Sequence, residues 1–386
     1  MTTENIYMLV YGVIYLLLLA VTAGILTVVE RRIAGRMQSR IGPNRVGPQG
    51  AIQFVADVIK ALQKEDIIPT DAYGFLFKIA PYLVFMGVFL TLVPIPFGAY
   101  VLMEDLDLGI YYVLAMSSYV VIGLMIGGWA SNNKWSLLGG MRSAAQKISY
   151  EIPAALAVFI VVAMAGSMNF QKIVLAQGAS PVDWFVFRNP FTFIAFNIFF
   201  IAALAEGNRV PFDIPEAESE LVSGYNTEYS GMRFLFFFLA EWGNLVVIGA
   251  LVTCLFFGGG TFWYEWVVSI PAPGREPLQF EVLGFFWFLF KTFFFVFVII
   301  WIRWTLPRLR IDQLMDVCWK YMVPIGLFSS LGIVIWMYVI PENSGIDRVV
   351  RIVMTSLGAL SVVYFHYRVY RNMKVTKAVF YANPFV

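Results

Sequence analysis

Long apolar stretches alternate with short polar ones along almost the whole chain, and the apolar stretches have the length of a bilayer crossing. With soft ends they fall at residues 6–29, 79–97, 111–130, 152–168, 191–204, 234–257, 282–302, 323–340 and 349–367. About 20 consecutive apolar residues cross a hydrocarbon core as a helix, and only helices or closed barrels satisfy their own backbone there. The pattern therefore predicts an all-α fold: a polytopic membrane helix bundle of eight core transmembrane helices plus a ninth at the C-terminal end. Residues 1–340 form the expected membrane domain, and residues 341–386 an extension carrying the additional span. The first run is too long for a signal-peptide core and no small-residue cleavage site follows it, so it is expected to remain.

Lysine and arginine placement orients the bundle. Counting from an outside N-terminus, the inside segments carry Arg31, Arg32, Arg36, Arg40, Arg45, Lys60 and Lys64, then Lys134, Arg142 and Lys147, and further cations at each later turn as far as Lys377. The opposite segments hold only Lys172, Arg188, Arg275, Arg348 and Arg351. Positive charge marks the cytoplasmic side, which predicts a multi-pass protein with its N-terminus outside and its C-terminus inside. Composition agrees: 60% hydrophobic and 13% charged residues, against about 45–50% and 25% in soluble domains.

Several chemistries are excluded. Cys254 and Cys318 are the only cysteines and His366 the only histidine, whereas an iron–sulfur cluster takes about four thiolates and a bis-histidine haem two imidazoles. No G-x-x-x-x-G-K-[ST] phosphate loop is present. A net charge of +2 offers no footprint for nucleic acid.

The inside segments carry the distinctive chemistry. Residues 36–50 contain two Gly-Pro pairs that forbid regular helix and fix a turn-rich path. An amphipathic helix follows, with Ile52, Val55, Ile59 and Leu62 on one face and Gln53, Asp57, Lys60 and Lys64 on the other. Such a helix lies in the membrane interface with its lysines toward water. By default it anchors a loop; following directly on five arginines, it also suits a doorway between lipid and a polar chamber.

Residues 206–231 concentrate six carboxylates around a single arginine, Arg209. Carboxylates crowded near a low-dielectric boundary cannot all stay ionised, because each charge and each lost water raises its neighbours' pKa. Pro211 and Pro215 break the chain after the fifth span, and Asp213 is placed to cap a helix over 215–222. On that helix Glu216 and Glu220 share a face, costing about 0.2–0.5 kcal/mol even in water. A solvated acid run is the ordinary explanation, but this one adjoins acids inside the bilayer: Glu151, Glu206 and Glu241. An ionised acid at a helix centre costs about 2.5–3.5 kcal/mol on insertion scales, so it pairs, protonates or lines a wet cavity. Lys291 is the candidate partner for Glu241, as a static ion pair or a proton carrier, and Asn244 is placed to extend a wet path. Arg303, Arg308, Arg310 and Asp312 end the seventh span; snorkelling alone explains arginines there, and a chamber shared with the first loop is the sharper alternative.

Three long motifs carry a resemblance: Glu30-Arg-Arg-Ile-Ala-Gly-Arg-Met-Gln-Ser-Arg-Ile-Gly-Pro-Asn-Arg-Val-Gly-Pro48, the 206–231 run, and Trp304-Thr-Leu-Pro-Arg-Leu-Arg-Ile-Asp-Gln-Leu-Met315. They resemble the H subunit family of proton-pumping NADH:quinone oxidoreductase, respiratory complex I, over about residues 6–340. The resemblance implies a non-redox subunit of a translocase in the bacterial inner membrane. Quinone is then the substrate, while FMN, NADH and the iron–sulfur clusters belong to partner subunits. The implied partners are the iron–sulfur and quinone-site soluble subunits, the small and antiporter-like membrane subunits and the lipid bilayer. Carried over by motif, Glu30, Arg31, Arg40, Asp57, Arg209 and Phe212 frame a quinone passage. Glu151, Glu206, Asp213, Glu216, Glu218, Glu220, Glu228 and Glu241, with Lys291, form a proton path. One unit charge about 10 Å from a carboxylate is worth about 1.7 kcal/mol at an effective dielectric of 20, more than one pKa unit, so a string of close acids can relay the arrival of electrons on a quinone. Two other classes share some features: a stand-alone proton or cation transporter, for which no internal repeat is seen, and the membrane subunit of an energy-converting hydrogenase.

Overall fold

Residues 3–98, 102–178, 180–261, 278–340 and 344–382 are described in a computed structural model of the chain. They form helices α1 (Thr3–Met37), α2 (Gln53–Gln63), α3 (Gly74–Thr91), α4 (Gly109–Ala130), α5 (Lys134–Ala165), α6 (Phe170–Ala176), α7 (Phe185–Arg188), α8 (Pro190–Glu206), α9 (Glu218–Leu221), α10 (Gly231–Phe256), α11 (Leu278–Thr305), α12 (Ile311–Asp316), α13 (Val323–Val339) and α14 (Gly345–Ala382), with a π-helical turn at Val317–Met322 joining α12 to α13. Among the described residues there is no strand.

Seven helical segments are long and apolar enough to cross a membrane: Gly12–Met37, Gly74–Thr91, Gly109–Ala130, Lys134–Ala165, Gly231–Phe256, Val282–Thr305 and Ile311–Val339. The apolar α8, with 17 residues, is shorter, about 26 Å at 1.5 Å per residue. Together they are the eight core helices of a polytopic bundle. The ninth expected span, residues 349–367, lies within α14, a single helix of 38 residues. The outside segment expected at 258–281 lies mostly outside the described residues.

Helix α10 occupies the centre, packing against α1, α2, α3, α8 and α11. Small residues permit this: a Cβ at Gly243 would meet Leu19 and Val88 at 3.1 and 3.3 Å, and one at Gly249 would meet the Thr292 backbone oxygen at 2.8 Å. Without a hydrophobic driving force between helices in lipid, close approach through small residues supplies the dispersion contact.

Two elements begin or end elsewhere than periodicity indicates. Helix α5 starts at Lys134, where the Asn133 side chain accepts the Trp135 N–H at 2.9 Å, so its first turns, expected as an inside loop, are helical. Gly139 and Gly140 let that half lie against the 224–225 backbone and against Gly128 of α4. Lys147, counted among the inside cations by sequence, is consequently buried. The helix expected over 215–222 shrinks to α9, whose N-cap position is occupied by Ala217 with no side-chain cap. Asp213 makes a tertiary ion pair instead, described below, and Glu216 precedes the helix.

Helix α2 matches the amphipathic segment. Phe54 seats against Gly24 of α1, while Ile52, Val55, Ile59 and Leu62 are all exposed, as an interfacial helix requires. The loop before it turns through Gly47 and Gly50, both at positive φ; at Gly50 a Cβ would collide with the Pro43 carbonyl, so only glycine fits.

Candidate functional site

The turn after α8 places Arg209 in the middle of the bundle. Gln146 on α5 donates to the carbonyls of Ala205 and Phe212, both at 2.7 Å, and so holds both ends of that turn. Arg209 is 1% exposed. One guanidinium nitrogen stands 3.2 Å from the Glu241 carboxylate on α10 and 3.7 Å from that of Glu30 on α1, and the group lies over the Trp242 ring at 4.4 Å. Arg303, at the end of α11, completes the cluster with a 2.8 Å contact to Glu30. Buried charges persist only when paired, and two acids here share two arginines. None of the three guanidinium nitrogens of Arg209 makes a hydrogen bond among the described residues, so the cluster retains donors for water or ligand.

Arg209 itself stands behind the wall, while its partners face a cavity of about 350 Å3 lined by Glu30, Arg31, Arg40, Glu216, Glu241 and Arg303 together with Trp242, Trp304, Phe234 and Phe238. Three helices, α1, α10 and α11, and the loops that hold Arg40 and Glu216 supply it. Glu216 accepts the Tyr225 hydroxyl at 2.6 Å and the Asn226 amide at 3.3 Å. Burial, and then the charge of Glu241, push the Glu216 carboxyl up to about 8. A second cavity of about 140 Å3 opens between α1, α2 and α10, with Phe54, Asp57, Val58 and Ala61 on its α2 side. Arg31, Phe234 and Phe238 line both cavities, and Asp57 holds Arg31 at 2.8 Å.

The remaining candidates are dispersed. Asp213 pairs with Arg308 at 3.1 Å; burial outweighs that pairing and raises it to about 6. Glu220, largely exposed, is bound by Arg142 at 2.6 Å, and Glu228 accepts from Asn133 at 2.6 Å. Glu151 accepts the Ser118 hydroxyl. Glu206 lines a smaller cavity with Lys147 and Asn244. Phe212 does not reach the chamber: its ring packs against Tyr150, centroids 5.6 Å apart. Glu218 starts α9, and its side chain lies outside the described ones.

The pairing of Lys291 with Glu241 is corrected. Lys291 donates to the carbonyls of Phe257 and Gly259 at 2.7 and 3.0 Å, beneath Trp184 at 4.5 Å. Phe257 lies 16 positions after Glu241, about 24 Å along the helix. Lys291 therefore caps the carbonyl end of α10, where a cation complements the helix dipole, and Glu241 takes Arg209. Lys147, Trp242, Trp304 and Gln146 carry no site role by sequence, although Lys147 was counted as an inside cation and Trp304 opens the third motif. Lys147 alone left a signal, standing one helical turn before Glu151.

A membrane bundle with a charged interior chamber, reached beside an interfacial helix, is the class of protein that these features define. The family model described as NADH dehydrogenase matches residues 10–334. The H subunit of the NADH-quinone oxidoreductase of Anaeromyxobacter dehalogenans is 48% identical over 324 residues, 82% of this chain and 78% of that one. The corresponding H subunit of Brevibacillus brevis is 49% identical over 82% of this chain and 89% of its own, and NADH-quinone oxidoreductase subunit 8 of Rhodothermus marinus 47% identical over 80% and 91%. The chain belongs to this family of complex I membrane subunits.

Proposed function

We propose that this chain forms the quinone passage of a proton-pumping NADH:quinone oxidoreductase and the start of its coupling path, without a redox centre of its own. The observation that carries this is the adjacency of the α1–α2–α10 gap and the chamber, which share Arg31, Phe234 and Phe238 on their walls. An apolar tail fits the gap, with Phe54, Val58 and Leu239 on its walls. A planar polar head fits the chamber, with indole faces and arginine donors on its walls. Glu30, Arg31, Arg40, Asp57 and Arg209 belong to the passage, and Phe212, packed on Tyr150, stands outside its walls.

Reduction of a quinone consumes two electrons and two protons; the electrons arrive from iron–sulfur partner subunits fed by NADH through flavin. Negative charge on the head stabilises protonated neighbours. Glu216 and Glu241 line the chamber and take up that change first, and Asp213, Glu206 and Glu151 carry it onward. Glu218, Glu220 and Glu228 flank the path at the inner surface, where the soluble subunits dock. Lys291, capping α10 far from the chamber, serves the outer half of the membrane arm, against the small and antiporter-like subunits.

Two substitutions in an assembled complex test the assignment. Ala61→Trp fills the gap and is expected to raise the KM for quinone about tenfold or more, with NADH oxidation by a water-soluble acceptor unchanged. Glu241→Gln is expected to lower both quinone reduction and the protons moved. Wild-type quinone kinetics and pumping in both overturn the proposal. Co-purification separates the rivals: flavin-bearing NADH-oxidising partners select complex I, a nickel–iron partner the hydrogenase, and ion transport by the chain alone a transporter.

A further inference from the structure

Between α3, α4, α5, α8 and α10 lies a cavity of about 30 Å3 whose walls are aliphatic except for Phe199, Thr91, Ser117, Lys147, Glu206 and Asn244. A space of this size holds about two waters, and polar walls keep them there. Lys147 is 5% exposed, and no carboxylate forms an ion pair with its ammonium among the described residues. A buried cation in that position requires water or must release its proton. The carboxylate that shares the cavity walls with it is that of Glu206.

The cavity thus stands between two sets of acids. On the chamber side are Glu216 and Glu241, and one turn of α10 beyond Glu241 brings Asn244 into the small cavity. On the far side is Glu151, one turn of α5 beyond Lys147 and held by Ser118 of α4. Among the described residues, Lys147 is the one cation on the walls of the small cavity.

We propose that Lys147 and Glu206 are a water-bridged proton-exchange pair joining the chamber acids to Glu151. An N–H bond of the Lys147 ammonium breaks, its electron pair stays on nitrogen, and the proton passes through water to form an O–H bond on Glu206. The neutral amine is then reprotonated from the Glu241 side. Both forms conserve total charge, so the exchange avoids building an isolated ion in the bundle. The proposal rests on the complex I assignment for its driving force.

The test uses Lys147→Met and Lys147→Arg in native membranes, reading protons translocated per NADH oxidised, a ratio independent of how much complex assembles. Arginine keeps the charge but holds its proton too tightly to exchange it. Both variants are expected to lower the ratio at least twofold, with NADH oxidation by a water-soluble acceptor maintained. A wild-type ratio in Lys147→Met overturns the proposal, as does restoration by arginine, which reduces the role to charge compensation. The wider assignment fails by a different result: no NADH-driven proton movement in wild-type membranes.

Discussion

Glu216 receives the Tyr225 hydroxyl while sharing a cavity with Glu241 and Glu30. With its carboxyl raised to about 8 and that of Asp213 to about 6, the first is mostly protonated at neutral pH and the second mostly ionised. Between the unfolded value of 4.5 and about 8 the folded state holds a proton that the unfolded state has lost, so stability is highest at the acid end and falls as pH rises through that window. Glu216→Gln removes this dependence. The thermal inactivation midpoint of the detergent-solubilised complex, measured from pH 5 to 8, is expected to decline less steeply in the variant and to exceed wild type at pH 8; parallel profiles contradict it. Residue identities were legible in sequence, because unpaired acids beside apolar runs are conspicuous. Partners were not. Spacing offers Lys291 for Glu241; only the folded helix puts the carbonyl that Lys291 caps about 24 Å from that acid and Arg209 beside it.

At the scale of elements, the acid-bearing loop keeps its place through glycine. Gly224 has φ +59, and a Cβ there would overlap the Pro215 carbonyl; across the interface, a Cβ on Gly139 of α5 would meet Gly224 at 2.7 Å. Gly224→Ala is therefore expected to displace the loop and abolish most quinone reductase activity, by tenfold or more, while NADH oxidation by a water-soluble acceptor reports the intact peripheral arm. Near-normal quinone turnover would show that the loop tolerates the shift. Spans and the amphipathic α2 were readable because hydrophobic periodicity is local. The packing of the first half of α5 and the uncapped start of α9 were not, since close glycine contacts with α4 and the 224–225 backbone hold the one and Asp213 pairs with the distant Arg308 instead of capping the other.

For the whole molecule, the core and α14 differ in how they are held. Helix α14 packs on α7, with Gly358 near the Phe187 ring and Arg351 bridging Asp183 at 3.2 Å and Asp347. At 38 residues it is about 57 Å long, well beyond a hydrocarbon core of about 30 Å. Deleting residues 341–386 is expected to leave quinone reduction and the proton ratio within about twofold of wild type, measured in native membranes. Loss of activity would place α14 within the working unit.

The chain's own order of apolar and polar residues determined that it is a helical membrane protein, roughly where it crosses, and which acids are out of place in lipid. Those properties are local: transfer free energy and backbone self-satisfaction act within one segment. Folding alone decided that Glu30, Glu216 and Glu241 face a common chamber around Arg209 and Arg303, and that Lys147 stands behind it. Charges from helices far apart in sequence interact through space, and the low dielectric between them makes each one's state depend on the others.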